Sequence, residues 1–220
     1  MRSWRLRMSK IRTLTQLQSA LDEEMAWRLK DISVFKIATK GKSVESVTFI
    51  RAGVALLYAH WEGFIKNSAE KYLNFVESQG HTYEQLRSCF AVLGLKGHLV
   101  MLSESRKTEP NIDAFDFIRS AMGQKAHLVM SGAINTESNL KSHVLKNIAH
   151  TINISIDPYE SKFKLIDESL VVRRNKVAHG EFLDLHRDDF VKLIDEVVRL
   201  MREFKTDIEN AATLKSYMRA

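Results

Sequence analysis

The sequence predicts an all-α protein in which long helices pack lengthwise as a bundle, and three observations support this prediction. Apolar residues recur every three or four positions over most of the 220-residue chain, as they do on the buried face of a helix. Only two prolines and nine glycines interrupt the pattern. Strand and helix patterns do not alternate, so no parallel sheet is expected. We therefore expect one helical domain over residues 14–220.

The first two helices are predicted from two amphipathic patterns. One covers about residues 14–38 and the other about 43–78, with Gly41 between them and Gly80 after the second. The apolar positions of the first helix are Leu14, Leu17, Leu21, Met25, Leu29, Ile32 and Phe35. Those of the second are Val47, Ile50, Val54, Leu57, Tyr58, Trp61, Ile65, Ala69, Leu73 and Val76.

The middle of the chain predicts shorter elements. Residues 82–106 and 112–130 are expected to be helices separated by residues 109–111 (EPN), and a further helix is expected at 138–150. Because these elements interrupt the series of long helices, we interpret about residues 80–155 as an inserted helical subregion of the bundle.

The last third predicts one extended segment and two helices. Residues 151–156 alternate apolar and polar side chains, which favours a short extended segment. Asp157 and Pro158 then begin a helix as its cap and first residue, and Gly180 lies where a left-handed cap ends it. Its buried stripe is Phe163, Ile166, Leu170 and Val177, with Val171 or Val172 at the edge. A final helix is predicted over about 188–211.

The net charge of +6 and the pI near 9.4 suggest an acidic partner such as nucleic acid. Residues 1–12 carry +5 of this charge, so residues 13–220 sum to only +1. The net positive charge therefore lies mostly in an N-terminal tail, residues 1–13. This tail is either solvated or an arm that contacts nucleic acid. If translation begins at Met8, the net charge falls to +3.

The sequence lacks the patterns that would indicate secretion, a membrane span or a metal site. No apolar signal-peptide core and no run of 18 apolar residues is present, and one cysteine cannot form an internal disulfide, so a cytoplasmic protein without a membrane span is expected. His143 and His150 are seven residues apart, but no third ligand accompanies them. We expect neither a metal nor another cofactor.

Residues 174–179 (RNKVAH) combine side chains that could cleave RNA without a metal. His179 is a candidate general acid and base, Arg174 a candidate stabiliser of charge on a phosphate, and Asn175 a candidate positioning group. RNA supplies its own nucleophile, the 2′-hydroxyl. The spacing alone is weak evidence, because a solvated arginine and a histidine favoured by the helix dipole would give the same pattern.

Helix geometry raises a difficulty for these three residues. Residues advance by about 100° along a helix, so Asn175 and His179 share a face whereas Arg174 lies about 140° from His179. We expect the long arginine side chain, a distorted helix end or a second subunit to complete the site.

Further candidates for RNA contact lie beside the motif and on the second helix. Arg173 and Lys176 flank the motif and are candidate phosphate contacts, with solvated surface as the alternative. Tyr58, Glu62 and Lys66 are spaced by four residues and share a face that could line the same cleft. The alternative for them is an intrahelical Glu-to-Lys pair beside a half-buried tyrosine.

Residues 171–180 (VVRRNKVAHG) resemble the signature of the HEPN superfamily, an arginine followed by a polar residue and a histidine. Residues 57–66 (LYAHWEGFIK), 14–17 (LTQL) and 22–28 (DEEMAWR) resemble a bacterial HEPN branch found among defence and toxin genes. The resemblance implies an HEPN-like helical bundle with metal-independent endoribonuclease activity, formed as a homodimer with two motifs facing one composite cleft. It implies Arg174 and His179 as the catalytic pair with Asn175 as the accompanying polar residue.

Two hypotheses follow. The first is an HEPN ribonuclease that acts in antiviral defence or as a growth-arresting toxin, with RNA as substrate and an antitoxin or defence protein as a possible partner. The second is a non-catalytic helical module that binds RNA or a protein and uses the motif for structure.

Overall fold

Eight α-helices make up most of the computed structural model, which describes residues 10–40 and 44–219. They are α1 (Leu14–Ala38), α2 (Val44–Ser78), α3 (Ser88–Glu104), α4 (Thr108–Ala121), α5 (Ser142–Thr151), α6 (Asp157–Glu160), α7 (Arg173–Ala178) and α8 (Arg187–Thr213). A 3₁₀ turn at Tyr83–Gln85 precedes α3, and a π-helical segment at Leu165–Val172 precedes α7. None of the helices in these ranges has the length and apolar character needed to cross a membrane. The prediction of an all-α fold is confirmed.

The helices predicted at about 14–38, 43–78 and 188–211 are confirmed as α1, α2 and α8. The helix predicted from Asp157 to about residue 180 is interrupted after Glu160 and continues as the π-helical segment and α7. Local signals explain where α1 begins. Thr13 accepts a hydrogen bond from the Gln16 amide while the Gln16 side chain accepts one from the Thr13 amide, which forms a capping box at the start of α1. Ile11 is buried just before this cap, and its amide donates to Asn74 of α2 at 2.8 Å. Residues 1–9 of the predicted basic tail, and the predicted break at Gly41, lie outside the described residues.

The core lies where α1, α2 and α8 pack against one another. Trp61 and Phe64 of α2 and Phe190 and Phe204 of α8 are fully buried there, and each large apolar side chain of this kind contributes about 1.5–3 kcal/mol of transfer free energy. The two helices approach closely at Gly53, where an added Cβ would lie 2.5 Å from the Phe190 ring. A glycine at this position therefore sets the contact between α2 and α8.

The boundaries predicted for the middle of the chain were wrong in two places. Pro110 lies inside the first turn of α4, because the first turn of a helix has unpaired amides and tolerates a residue without one. The chain between α3 and α4 breaks at residues 105–107 instead. Residues 122–141 are irregular, so α4 ends earlier and α5 begins later than the apolar pattern predicted.

The extended segment predicted at residues 151–156 is not a strand. α5 continues to Thr151, and Asn153 then takes a positive φ of 54° that turns the chain. The alternation was nevertheless informative about burial, because Ile152, Ile154 and Ile156 are all buried. The helix that follows starts at Asp157 with Pro158 in its first turn, one residue from the predicted cap.

Candidate active site

The candidate motif lies on α7, a short helix between two irregular features. The π-helical segment before it widens the backbone turns, a distortion often found beside functional sites. At its end Gly180 has a φ of 72°, and the amides of Gly180 and Glu181 donate to the carbonyls of Val177 and Lys176. This is a Schellman cap, and it confirms the left-handed glycine predicted at this position.

Arg174 is half-buried and held from several directions. Its Cζ lies 4.2 Å from the centre of the Tyr58 ring. Its Nη1 donates to Asn139 Oδ1 at 3.1 Å and to Asn175 Oδ1 at 2.8 Å, and its Nη2 donates to the Ser138 carbonyl at 3.1 Å. These bonds fix the guanidinium while leaving N–H groups of its fork without a partner among the described residues.

Tyr58 links the arginine to the loop before α5. Its buried hydroxyl accepts a hydrogen bond from the Leu140 amide at 2.7 Å. Burial raises the pKa of this phenol, and the Glu62 carboxylate raises it further, while the Leu140 amide and the Arg174 charge act in the opposite direction. Tyr58 therefore lies beside both Glu62 and Arg174, and the prediction that Tyr58, Glu62 and Lys66 line an RNA-binding cleft stays a prediction.

The loop that receives Arg174 is strained. Glu137 and Ser138 have positive φ values of 52° and 61°, a conformation that costs side-chain-bearing residues about 1 kcal/mol or more. The Glu137 amide donates to Asn135 Oδ1, which supports the turn. Ser138 and Asn139 carry no sequence signal for this role, since the loop contains no glycine at the positions with positive φ.

His179 follows Arg174 by five residues, which is about 140° around an ideal helix. It is the exposed C-terminal cap of α7, and its amide donates to the Asn175 carbonyl. Within the part of the chain that the structure describes, its imidazole contacts neither Arg174 nor Tyr58. Asn175 connects the two, because its side chain binds Arg174 and its carbonyl binds the His179 backbone.

The remaining predicted residues surround this arrangement. Arg173 is half-buried beside Arg174, and Lys176 is exposed on the outer face of α7. Lys66 is exposed two turns beyond Tyr58, where its charge lowers the pKa of Glu70 against the raising effect of burial. The roles of these three residues in RNA contact stay predictions. Among the described residues no three His, Cys, Asp or Glu side chains cluster as metal ligands.

The described chain is therefore an all-α bundle that carries an arginine, an amide and an exposed histidine on one short capped helix. Comparison with protein families identifies it further, since the RiboL-PSP-HEPN model matches residues 23–210. The chain belongs to this HEPN family, which confirms the superfamily predicted from its motifs. Neither the curated proteins nor the solved structures gave a match.

Proposed function

We propose that this protein is a metal-independent endoribonuclease of the HEPN type. His179 removes the proton from a ribose 2′-hydroxyl and supplies one to the leaving 5′-oxygen, and Arg174 stabilises the charge that develops on the phosphate. Asn175 positions Arg174, and Tyr58 and Asn139 hold it in place. The observation that carries the proposal is the fixed, half-buried Arg174 five residues before an exposed imidazole.

A second copy of the chain completes the site in this proposal. A helix turns by about 100° per residue, which places Arg174 and His179 about 140° apart around α7. No hydrogen bond joins the two side chains among the described residues, so we infer that the groups acting on one phosphate come from two chains. Beside the motif, Phe182 is 78% exposed, and with Val47 it lines a pocket of about 620 Å³ between the start of α2 and the loop that follows α7. A partner that covers the apolar surface formed by the exposed Phe182 and Val47 side chains would bring a second α7 near the first.

A cleavage assay tests the catalytic proposal. Purified protein is expected to cut single-stranded RNA in EDTA and to leave 2′,3′-cyclic phosphate ends. His179→Ala is expected to lower the rate by at least about 100-fold. His127→Ala is the matched control, because His127 is an exposed histidine 52 residues before His179 whose imidazole lies 3.6 Å from Glu77. Equal rates for His179→Ala and the parent would contradict the proposal.

We propose a role in growth arrest or antiviral defence, with an antitoxin or defence protein as the partner that restrains the enzyme. Expression in a bacterial host without that partner is expected to stop growth, whereas expression of Arg174→Ala is expected to be tolerated. Arg119→Ala, at an exposed position on α4, is the control and is expected to remain toxic. Equal growth with the parent and Arg174→Ala would contradict this role.

One observation favours the alternative, a non-catalytic helical module that binds RNA or a protein. Arg174 donates to three acceptors of its own chain, which is the arrangement of a structural arginine joining α2, α7 and the loop before α5. This alternative predicts that RNA binds and is recovered intact.

A further inference from the structure

The exposed face of α5 is polar and carries no acid. His143, Lys146, Asn147 and His150 are all exposed and are spaced so that they share one side of the helix. The opposite side is buried in the core through Val144, Leu145, Ile148 and Ala149. The helix thus presents a single continuous face whose charged and titratable groups are all basic.

One end of this face begins at the candidate active site. Ser142, the first residue of α5, donates from its amide and hydroxyl to the Asp167 carboxylate at 2.7 and 2.6 Å, which ties α5 to the segment that leads into the motif. His143 lies 3.8 Å from Glu137, whose neighbour Ser138 accepts a hydrogen bond from Arg174. The α5 face and Arg174 therefore lie on either side of one short loop.

The other end of the face opens into a basic pocket of about 530 Å³. Its lining residues are Arg87, Ser88, Cys89, His150, Asn153 and Arg219, with no Asp or Glu among the described residues that line it. The Ser216 carbonyl holds two of them, accepting from Arg87 Nε at 2.9 Å and from Asn153 Nδ2 at 3.0 Å. The pocket is therefore built from fixed donors suited to an anion.

We propose that the α5 face and the Arg87–Arg219 pocket bind the phosphate backbone of the RNA strand that enters the active site. This inference rests on the proposed ribonuclease function and names where its substrate is held. A 10-residue helix is about 15 Å long, which matches about four phosphates of a stacked strand. A protein partner fits less well, since the exposed face of α5 offers no apolar anchor in its described residues.

Binding is measured by fluorescence anisotropy with labelled single-stranded RNA of 4 to 16 nucleotides, in the His179→Ala background so that the RNA stays intact. Adding Lys146→Ala and Arg87→Ala is expected to weaken binding of the longer strands by about tenfold or more. The slope of log affinity against log salt is expected to fall by about 1.4 in magnitude, because two phosphate contacts are lost. The controls are Arg119→Ala and Lys192→Ala, which remove exposed cations from α4 and α8.

Three outcomes separate this inference from the function on which it rests. Unchanged affinity and salt slope in the double variant overturn the binding surface, whatever the parent does to RNA. Weakened binding in the double variant supports the surface even if the parent never cleaves RNA. If the double variant loses affinity for poly-glutamate by the same factor as for RNA, the surface binds any polyanion and the assignment to RNA is overturned.

Discussion

Arg174 stacks on the ring of Tyr58, with its Cζ 4.2 Å from the ring centre, while the Tyr58 hydroxyl holds the loop that supplies two of the arginine's acceptors. One buried side chain on α2 thus fixes both the catalytic candidate and its surroundings. Without the ring the arginine would keep its hydrogen bonds but lose the surface that packs against it, so it would hold a phosphate less firmly.

The Tyr58 contact predicts a graded response to substitution. Tyr58→Phe keeps the stacked ring but leaves the Leu140 amide without its acceptor, and is expected to lower the free energy of unfolding by about 1–3 kcal/mol. Tyr58→Leu also removes the cation–π contact and is expected to lower it further and to reduce RNA cleavage more strongly. Urea unfolding and initial cleavage rates measure both effects. Tyr72→Phe is the control, because the buried Tyr72 hydroxyl has no hydrogen-bond partner among the described residues, and a stability loss equal to that of Tyr58→Phe would contradict the account.

The Asp167 bonds to Ser142 predict that α5 depends on this carboxylate for its first turn. Asp167→Ala is expected to lower the free energy of unfolding by about 1–2 kcal/mol and to slow RNA cleavage, because the loop beside Arg174 loses its anchor. Glu168→Ala, at the next position, removes only an exposed pair with Lys164 and is expected to change stability by less than about 0.5 kcal/mol. Equal losses in the two variants would count against a capping role.

We predict that the free energy of unfolding depends on pH through the Glu24 carboxylate. Burial alone would raise its pKa, but hydrogen bonds from Asn67, Arg28 and Lys71 outweigh burial and hold the pKa below the ordinary value of 4.5. The stabilisation from ionised Glu24 is therefore present above pH 4.5 and is lost as pH falls through the lower folded-state pKa. Glu24→Gln is expected to lower the free energy of unfolding by about 3 kcal/mol at pH 7, since it leaves the buried Arg28 without its charged partner.

Urea unfolding of the parent and Glu24→Gln at pH 7 and at pH 3 measures this linkage. The difference between the two proteins is expected to shrink as pH falls below 4.5, because unfolding of the parent then takes up a proton on Glu24. Glu23→Gln is a matched control at the adjacent, exposed position on α1. A difference between parent and Glu24→Gln that stays constant with pH would contradict the assigned cause.

The apolar surface at Phe182 predicts the oligomeric state. Phe182→Ser is expected to convert a dimer to a monomer and to abolish RNA cleavage. A thermal unfolding transition of the variant is expected to show that its separated chains are still folded. Leu214→Ser, at an equally exposed position after α8, is expected to leave both properties unchanged. Light scattering gives the mass. A parent protein that is monomeric and fully active would rule out the composite site.

The long helices could be predicted from the sequence because a buried stripe repeats along most of their length. The stripe shows which face of each helix is buried but not which helix covers it, and the left-handed Gly180 follows from the chemistry of helix ends. The middle of the chain could not be predicted in this way. Pro110 is compatible both with a break and with a first turn. In the region 122–141, irregular backbone rather than a helix places Leu128, Ile134 and Leu140 in the core.

The candidate site was predictable in its residue types and not in its contacts. The spacing of Tyr58 and Glu62 placed both on one face of α2, and the structure brings that face to Arg174. No sequence signal indicated Ser138 or Asn139, because their contact with Arg174 depends on positive φ values in residues that seldom adopt them. The bonds from Ser142 to Asp167 join residues 25 apart in sequence, which no local pattern encodes.

The 2′-hydroxyl mechanism is tested most directly by one substitution in the substrate. A single-stranded RNA is mapped for its preferred cleavage position in EDTA, and the same strand is then prepared with one 2′-deoxynucleotide on the 5′ side of that position. The account predicts that the parent protein cuts the all-ribose strand to a 2′,3′-cyclic phosphate end, and that neither the deoxy-substituted strand nor the His179→Ala protein gives a cut there. Cleavage of the deoxy-substituted strand at the same position and rate would contradict it.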